Sequence, residues 1–107
     1  MTGGSSTKIT VFNKNLQLQR WKTQQGRGGT VIVATKLVRA SIRQPTVTFA
    51  LKAEAAGRTV DMIATIRLND FLADKWTHAE FEGVTYRIEG VNAAEKDMFV
   101  RLALKRT

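Results

Sequence analysis

Apolar side chains recur at every second position along most of this chain, the spacing that puts them on one face of a β-strand. Leu16 and Leu18 share a face, as do Val38, Ala40 and Ile42, with Arg39, Ser41 and Arg43 turned the other way. The same alternation runs through Val47, Phe49 and Leu51, through Val60, Met62, Ala64 and Ile66, and through Met98, Val100, Leu102 and Leu104. It predicts strands near residues 8–12, 15–23, 31–43, 46–52, 60–67, 76–81, 84–91 and 98–105. The expected core is Phe49, Met62, Ile66, Tyr86, Ile88, Val100 and Leu102.

Between these runs lie segments that favour turns. Gln24 to Gly29 holds glycines at 26, 28 and 29, and Glu82-Gly83 is a two-residue hairpin turn in which Gly83 supplies a positive φ. Pro45 ends a strand or sits at an edge, and Gly90 permits a bulge or bend. Ala53 to Arg58 reads as a loop, because Gly57 stops any helical turn its alanines begin. Asn69-Asp70 is a turn or cap, and Phe71 to Asp74 has room for at most a short helical turn. Asn92 to Asp97 is a polar connection. Many short strands with almost no helix give an all-β chain, and one small single-domain barrel or sandwich with long inter-strand loops buries one face of each strand. That domain is expected over residues 8–107, behind a disordered N-terminal arm of residues 1–7 that is small, polar and contains Gly3-Gly4.

With 107 residues, 43% of them apolar, the chain fills one modest core. It has no cysteine and one histidine, His78, so neither a thiolate site nor a histidine cluster for metal or cofactor is expected. No apolar run reaches membrane-spanning length, and no signal segment is legible. Trp76, His78 and Glu80 fall at alternate positions and are expected on one outward face. Glu80 orienting His78 as a general base is the one catalytic reading open to the chain. No nucleophile is tied to that pair, and Gly26 to Gly29 lacks the Lys-Ser/Thr of a phosphate loop, so an enzyme is not expected.

The charge is asymmetric. The formal net charge is +8, yet residues 1–53 contain nine Lys or Arg and no acid, whereas residues from Glu54 onward carry eight basic and nine acidic side chains. Such a half points to a polyanion, nucleic acid being the obvious candidate, or is simply a solvated face on a protein of high pI. The candidate DNA-facing or partner-facing residues are Arg20, Lys22, Arg27, Arg39, Arg43, Lys52 and Arg58. Arg20-Trp21-Lys22 is the only basic–aromatic cluster. Trp21 breaks the phase of Leu16 and Leu18, which fits a packing residue after a bulge better than an exposed stacking platform.

Several of these segments together resemble the small head–tail joining (head closure, or stopper) proteins of long-tailed bacteriophages. They are Ile9-Thr10-Val11, the Gly26 to Gly29 loop, Val38-Arg39-Ala40-Ser41-Ile42, Ile66-Arg67, the hairpin arm from Gly83 to Val91 and the final hydrophobic strand. The family often has Trp before the Ala of the middle strand, where this chain has Arg39. The resemblance implies a structural virion protein of the phage neck, without substrate or cofactor. Its copies would form a ring that closes the DNA-filled head, meeting portal and adaptor proteins on one side and tail proteins on the other. It also implies non-specific contact with packaged duplex DNA. The alternatives are a non-catalytic nucleic-acid-binding β-barrel module and, within phage assembly, a tail-terminator ring protein. No strip of exposed apolar residues is expected, so the isolated chain should be monomeric or weakly associating until a portal–adaptor template gathers it.

Overall fold

A computed structural model describes residues 12–24, 26, 28–72, 74–93 and 98–107. Six strands form one antiparallel sheet that closes on itself: β1 (Lys14–Thr23), β2 (Thr30–Arg43), β3 (Met62–Arg67), β4 (His78–Phe81), β5 (Val84–Ala93) and β6 (Phe99–Arg106). Their order around the barrel is β1-β2-β3-β6-β5-β4. The closure is irregular. β2 meets β3 only through Ser41, Ile42 and Arg43, and β1 meets β4 only through Gln17, Leu18 and Gln19.

The period-two pattern works as expected inside the barrel. Leu16, Leu18, Val38, Ala40, Met62, Ala64, Ile66, Tyr86, Val100, Leu102 and Leu104 are buried in one cluster, and Ile42 and Ile88 pack against it. Two short helices interrupt the strands, α1 (Val47–Ala55) and α2 (Leu68–Leu72). Leu68 and Phe71 of α2 pack on the core cluster, and buried Trp76 joins it just before β4. Trp76 therefore leaves the outward face it was expected to share with His78 and Glu80. The break in phase arises because β4 begins only at His78, so Ala79 is its inward residue. No helix among the described residues is long and apolar enough to cross a membrane.

The largest departure from the expected strands is at residues 46–52, which form helix α1. Thr46 caps it, its side-chain oxygen accepting from the Phe49 amide at 3.1 Å. Pro45 is compatible with the extended backbone at Thr46, and Ala50 to Ala55 are mostly strong helix formers. The helix ends as glycine helices do: the Gly57 amide donates to the Glu54 carbonyl at 2.9 Å and the Arg58 amide to the Ala53 carbonyl at 2.7 Å, with Gly57 at φ 75°. Alternation at Val47, Phe49 and Leu51 was a coincidence of three residues, and the second half of the segment decides the outcome. Phe49 is consequently not core; it is 43% exposed.

Other expectations fare unevenly at the ends of elements. Met98 lies on the apolar face of the last strand by spacing but is 70% exposed, since β6 starts at Phe99. Residues 1–7, residues 8–11 of the expected first strand and residues 94–97 of the polar connection lie outside the described residues. The Glu82-Gly83 turn has both residues at positive φ, 50° and 79°, the geometry that suits the twist of a two-residue hairpin.

The surface also differs from expectation. Val31, Ile32, Val33 and Leu37 of β2 are all exposed, Leu37 by 68%, so an apolar strip does line this strand. It escaped the sequence reading because Val31 to Ala34 passes for a doubly buried strand. In the structure β2 extends past the barrel as one arm of the β1–β2 hairpin. Among the described residues, positions 30–40 have no strand on their other side.

Candidate functional site: a basic groove on the barrel wall

Directly paired residues on adjacent antiparallel strands project to the same face. Arg43 of β2 pairs with Ile63 of β3, Ile63 with Ala103 of β6, and Ala103 with Gly90 of β5. This row lies on the outer wall, because the intervening residues Met62, Ala64, Leu102 and Leu104 all point to the core. The next outward row runs Ser41, Thr65, Arg101, Asn92. Helix α1 stands over this part of the wall without burying any of its own residues. The space between helix and sheet is a groove of about 480 Å³.

The floor of the groove is apolar. Ile63, Val60 and Ala103 line it from the barrel and Phe49, Ala53 and Ala56 from the helix side, spaced four and three apart. Among the described residues its charged lining is strongly one-signed, with Arg43, Lys52, Arg58 and Arg101 against the carboxylate of Glu89. Glu89 is already held by the Arg87 guanidinium, which does not line the groove. None of the four groove cations makes a salt bridge among the described residues. The helix end motif sets Arg58 in place, and its Nη1 lies 3.8 Å from where a β-carbon on Gly90 would sit. The ladder slips at that point, between Ile88 and Gly90. Low-dielectric walls around like charges concentrate the positive potential where a ligand would sit.

Of the seven basic residues proposed from sequence, the structure gathers three here: Arg43, Lys52 and Arg58. Arg20 is instead engaged by Asp74, its Nη1 donating to Oδ1 at 3.1 Å, and Arg39 donates to Asn15 Oδ1 at 2.8 Å. Lys22 is exposed on the hairpin arm, and Arg27 lies outside the described residues. The fourth groove cation, Arg101, was missed because the basic residues were sought in the acid-free half and the connection just after it, as far as Arg58. Its alternation against Val100 and Leu102 already marked it as outward-facing, and only the β3–β6 pairing brings it beside Arg43.

The His78 constellation is a packing device. Trp21 follows a register shift after Arg20 and stacks on the His78 ring, centroids 3.8 Å apart and planes within 12°. The Trp21 indole N–H donates to Gln19 Oε1 at 2.9 Å, and its backbone N–H donates to Thr77 Oγ1 at 2.9 Å. His78 Nδ1 lies 2.8 Å from that same hydroxyl, and no hydrogen bond joins His78 to Glu80. Burial against the indole pushes the imidazole pKa below its usual value, helped by the Arg87 charge across the β4–β5 ladder. Among the described residues no group of three or more His, Asp or Glu is arranged to hold a metal ion.

A comparison of the chain with protein-family models finds no match, and a search of curated proteins finds none either.

Proposed function

We propose that the chain is a structural protein of the neck of a tailed phage or prophage, forming a ring that closes the DNA-filled head and offers the tail a docking surface. The observation that carries this reading is the edge of β2. Proteins that work as monomers shorten, charge or cover such an edge, and a strand with Val31, Ile32, Val33 and Leu37 exposed is one built to meet a neighbour. A ring needs a heterologous contact repeated by rotation, and this strip supplies one half of it. The strip also removes the reason for expecting a monomer, so self-association belongs to the proposal. Portal and adaptor proteins on one side and tail proteins on the other are its further partners. Lys22 and Arg39, both exposed in the acid-free half, are suited to hold passing duplex DNA through its phosphates without reading sequence.

The hairpin tip is the segment this reading assigns to gating, since Gly26, Gly28 and Gly29 all sit at positive φ and Gln24 donates to the Gly29 carbonyl at 3.0 Å. The stretch from Lys52 to Arg58, expected as a loop from Ala53 onward, is helix and helix end and is not assigned that role.

The test is reconstitution. Purified protein added to DNA-filled, tailless heads of the encoding phage is expected to add a ring of density at the portal vertex and to restore tail joining. Protein that stays in solution, yet binds naked duplex DNA in a salt-dependent manner, supports the nucleic-acid-binding alternative instead.

A further inference from the structure

We infer that the groove between α1 and the outer wall of β3, β6 and β5 is a docking site for an acidic peptide segment of another polypeptide, one with carboxylates flanking large apolar side chains. The two halves of that description come from two features of the groove. Arg43, Lys52, Arg58 and Arg101 rim it with no ion partner among the described residues, so the occupant is anionic. Phe49, Ala53 and Ile63 line an apolar floor beneath them, so the occupant also brings apolar groups to cover it. An apolar helix stripe that faces a sheet without being buried by it is a gap already shaped for side chains. A volume of about 480 Å³ is within the range of ligand pockets and too small for a folded domain.

Other occupants fit less well. Duplex DNA matches the charge but offers a phosphate backbone with nothing to fill an apolar floor. Single-stranded nucleic acid binds by stacking on aromatic side chains, and among the described residues Phe49 is the only aromatic one lining the groove. A second copy of this chain would bring its most apolar exposed strip, Val31 to Leu37, and that strip lies in a stretch from Lys14 to Ala53 without a single acid. Like charges would then face each other across the contact. The inference goes beyond the neck assembly proposed above and stands apart from it. The groove is on the barrel wall and not on the β2 edge, and its binding is read in solution without particles.

The probe is a short fluorescein-labelled synthetic peptide alternating Glu or Asp with Leu and Phe, titrated by fluorescence anisotropy into the full chain. Its controls are the same peptide with every acid changed to Lys, the same with Leu and Phe changed to Ser, and a labelled random-sequence duplex. The acidic apolar peptide is expected to bind tightest, and Arg58→Glu with Arg101→Glu to weaken it by about tenfold or more. Both arginines are exposed, so the double variant keeps its fold, checked by circular dichroism. Gly90→Leu, which fills the groove beside Arg58 without removing a charge, is expected to weaken the same peptide. Phe49→Ser removes the apolar side of the helix and repeats that test should the leucine disturb the β5 bulge. Equal binding of the Ser-substituted peptide or of the duplex would overturn the inference, because the groove would then be a plain polyanion surface. Wild-type affinity in the Arg58→Glu, Arg101→Glu double variant would overturn it as well.

Discussion

The inside and the outside of this barrel use apolar residues in opposite ways. Within it, Leu16, Leu18, Ile66, Val100, Leu102 and Leu104 are wholly buried and contributed by three different strands. Outside it, Val31, Ile32, Val33 and Leu37 on the hairpin arm and Val47 and Leu51 on α1 remain in water, although they are the same residue types in similar local patterns. The first group accounts for folding. The second group stays largely exposed in the folded monomer, and the proposed ring assigns it to contact with another molecule. Apolar content therefore divides by place, and the dividing line is whether a residue faces the inside of the closed barrel or lies on the arm and helix outside it.

The sharpest way to break that comparison is to truncate one residue from each side. Leu102→Ala leaves a cavity where three strands meet and is expected to cost about 2–5 kcal/mol in urea unfolding. Leu37→Ala removes the same atoms from the arm and is expected to change stability by less than about 0.5 kcal/mol. Equal losses at the two positions would mean that the arm is part of the folding unit. A smaller effect is expected at the helix cap. Thr46→Ala deprives the Phe49 amide of its acceptor and should cost about 1 kcal/mol, with α1 losing protection in hydrogen exchange before the barrel does.

Acidification probes the joint between arm and barrel, where Trp21 stacks on His78. The folded state holds the His78 imidazole below its ordinary pKa of about 6.5, first by burial and then by Arg87. The unfolded chain therefore binds the proton more readily. The contribution of the neutral ring is complete above about pH 6.5 and is lost as pH falls from there through the lowered folded value. Unfolding midpoints for the wild type and His78→Phe, which keeps a ring against Trp21, should differ increasingly below that pH in favour of the variant. A difference that stays constant with pH would contradict the assigned sign. The smallest effect is expected at the turn that closes β4 and β5. Glu82 sits at φ 50°, a region that costs most side chains energy, and Glu82→Asn should gain a few tenths of a kcal/mol in thermal stability.

How much of this was legible in the sequence depends on what decided each element. Where a strand is paired on both sides over several residues, as β3 and β6 are, alternation alone picks out Met62, Ala64, Ile66, Val100, Leu102 and Leu104 correctly. At residues 46–52 the alternation spanned too few positions to outweigh a Thr cap, an alanine-rich second half and Gly57, all of which were visible and pointed to a helix. The β2 edge was not legible, because a run such as Val31-Ile32-Val33 reads the same whether it is buried on both faces or bare. Half of the groove could be anticipated. Arg43 and Lys52 stood out in the acid-free half and Arg58 just beyond it, whereas Arg101 became a neighbour only through strand pairing with a segment far away in sequence.

The claim that the outer apolar residues serve association and not folding is tested most directly by the double variant Ile32→Lys, Leu37→Lys. Under the proposed neck role, the measurement is the fraction of tailed, DNA-retaining particles when this variant replaces the wild-type protein during phage assembly, for a protein whose melting curve matches the wild type. The account predicts an intact barrel and a collapse in the number of tailed particles. Wild-type particle numbers from the folded double variant would contradict it.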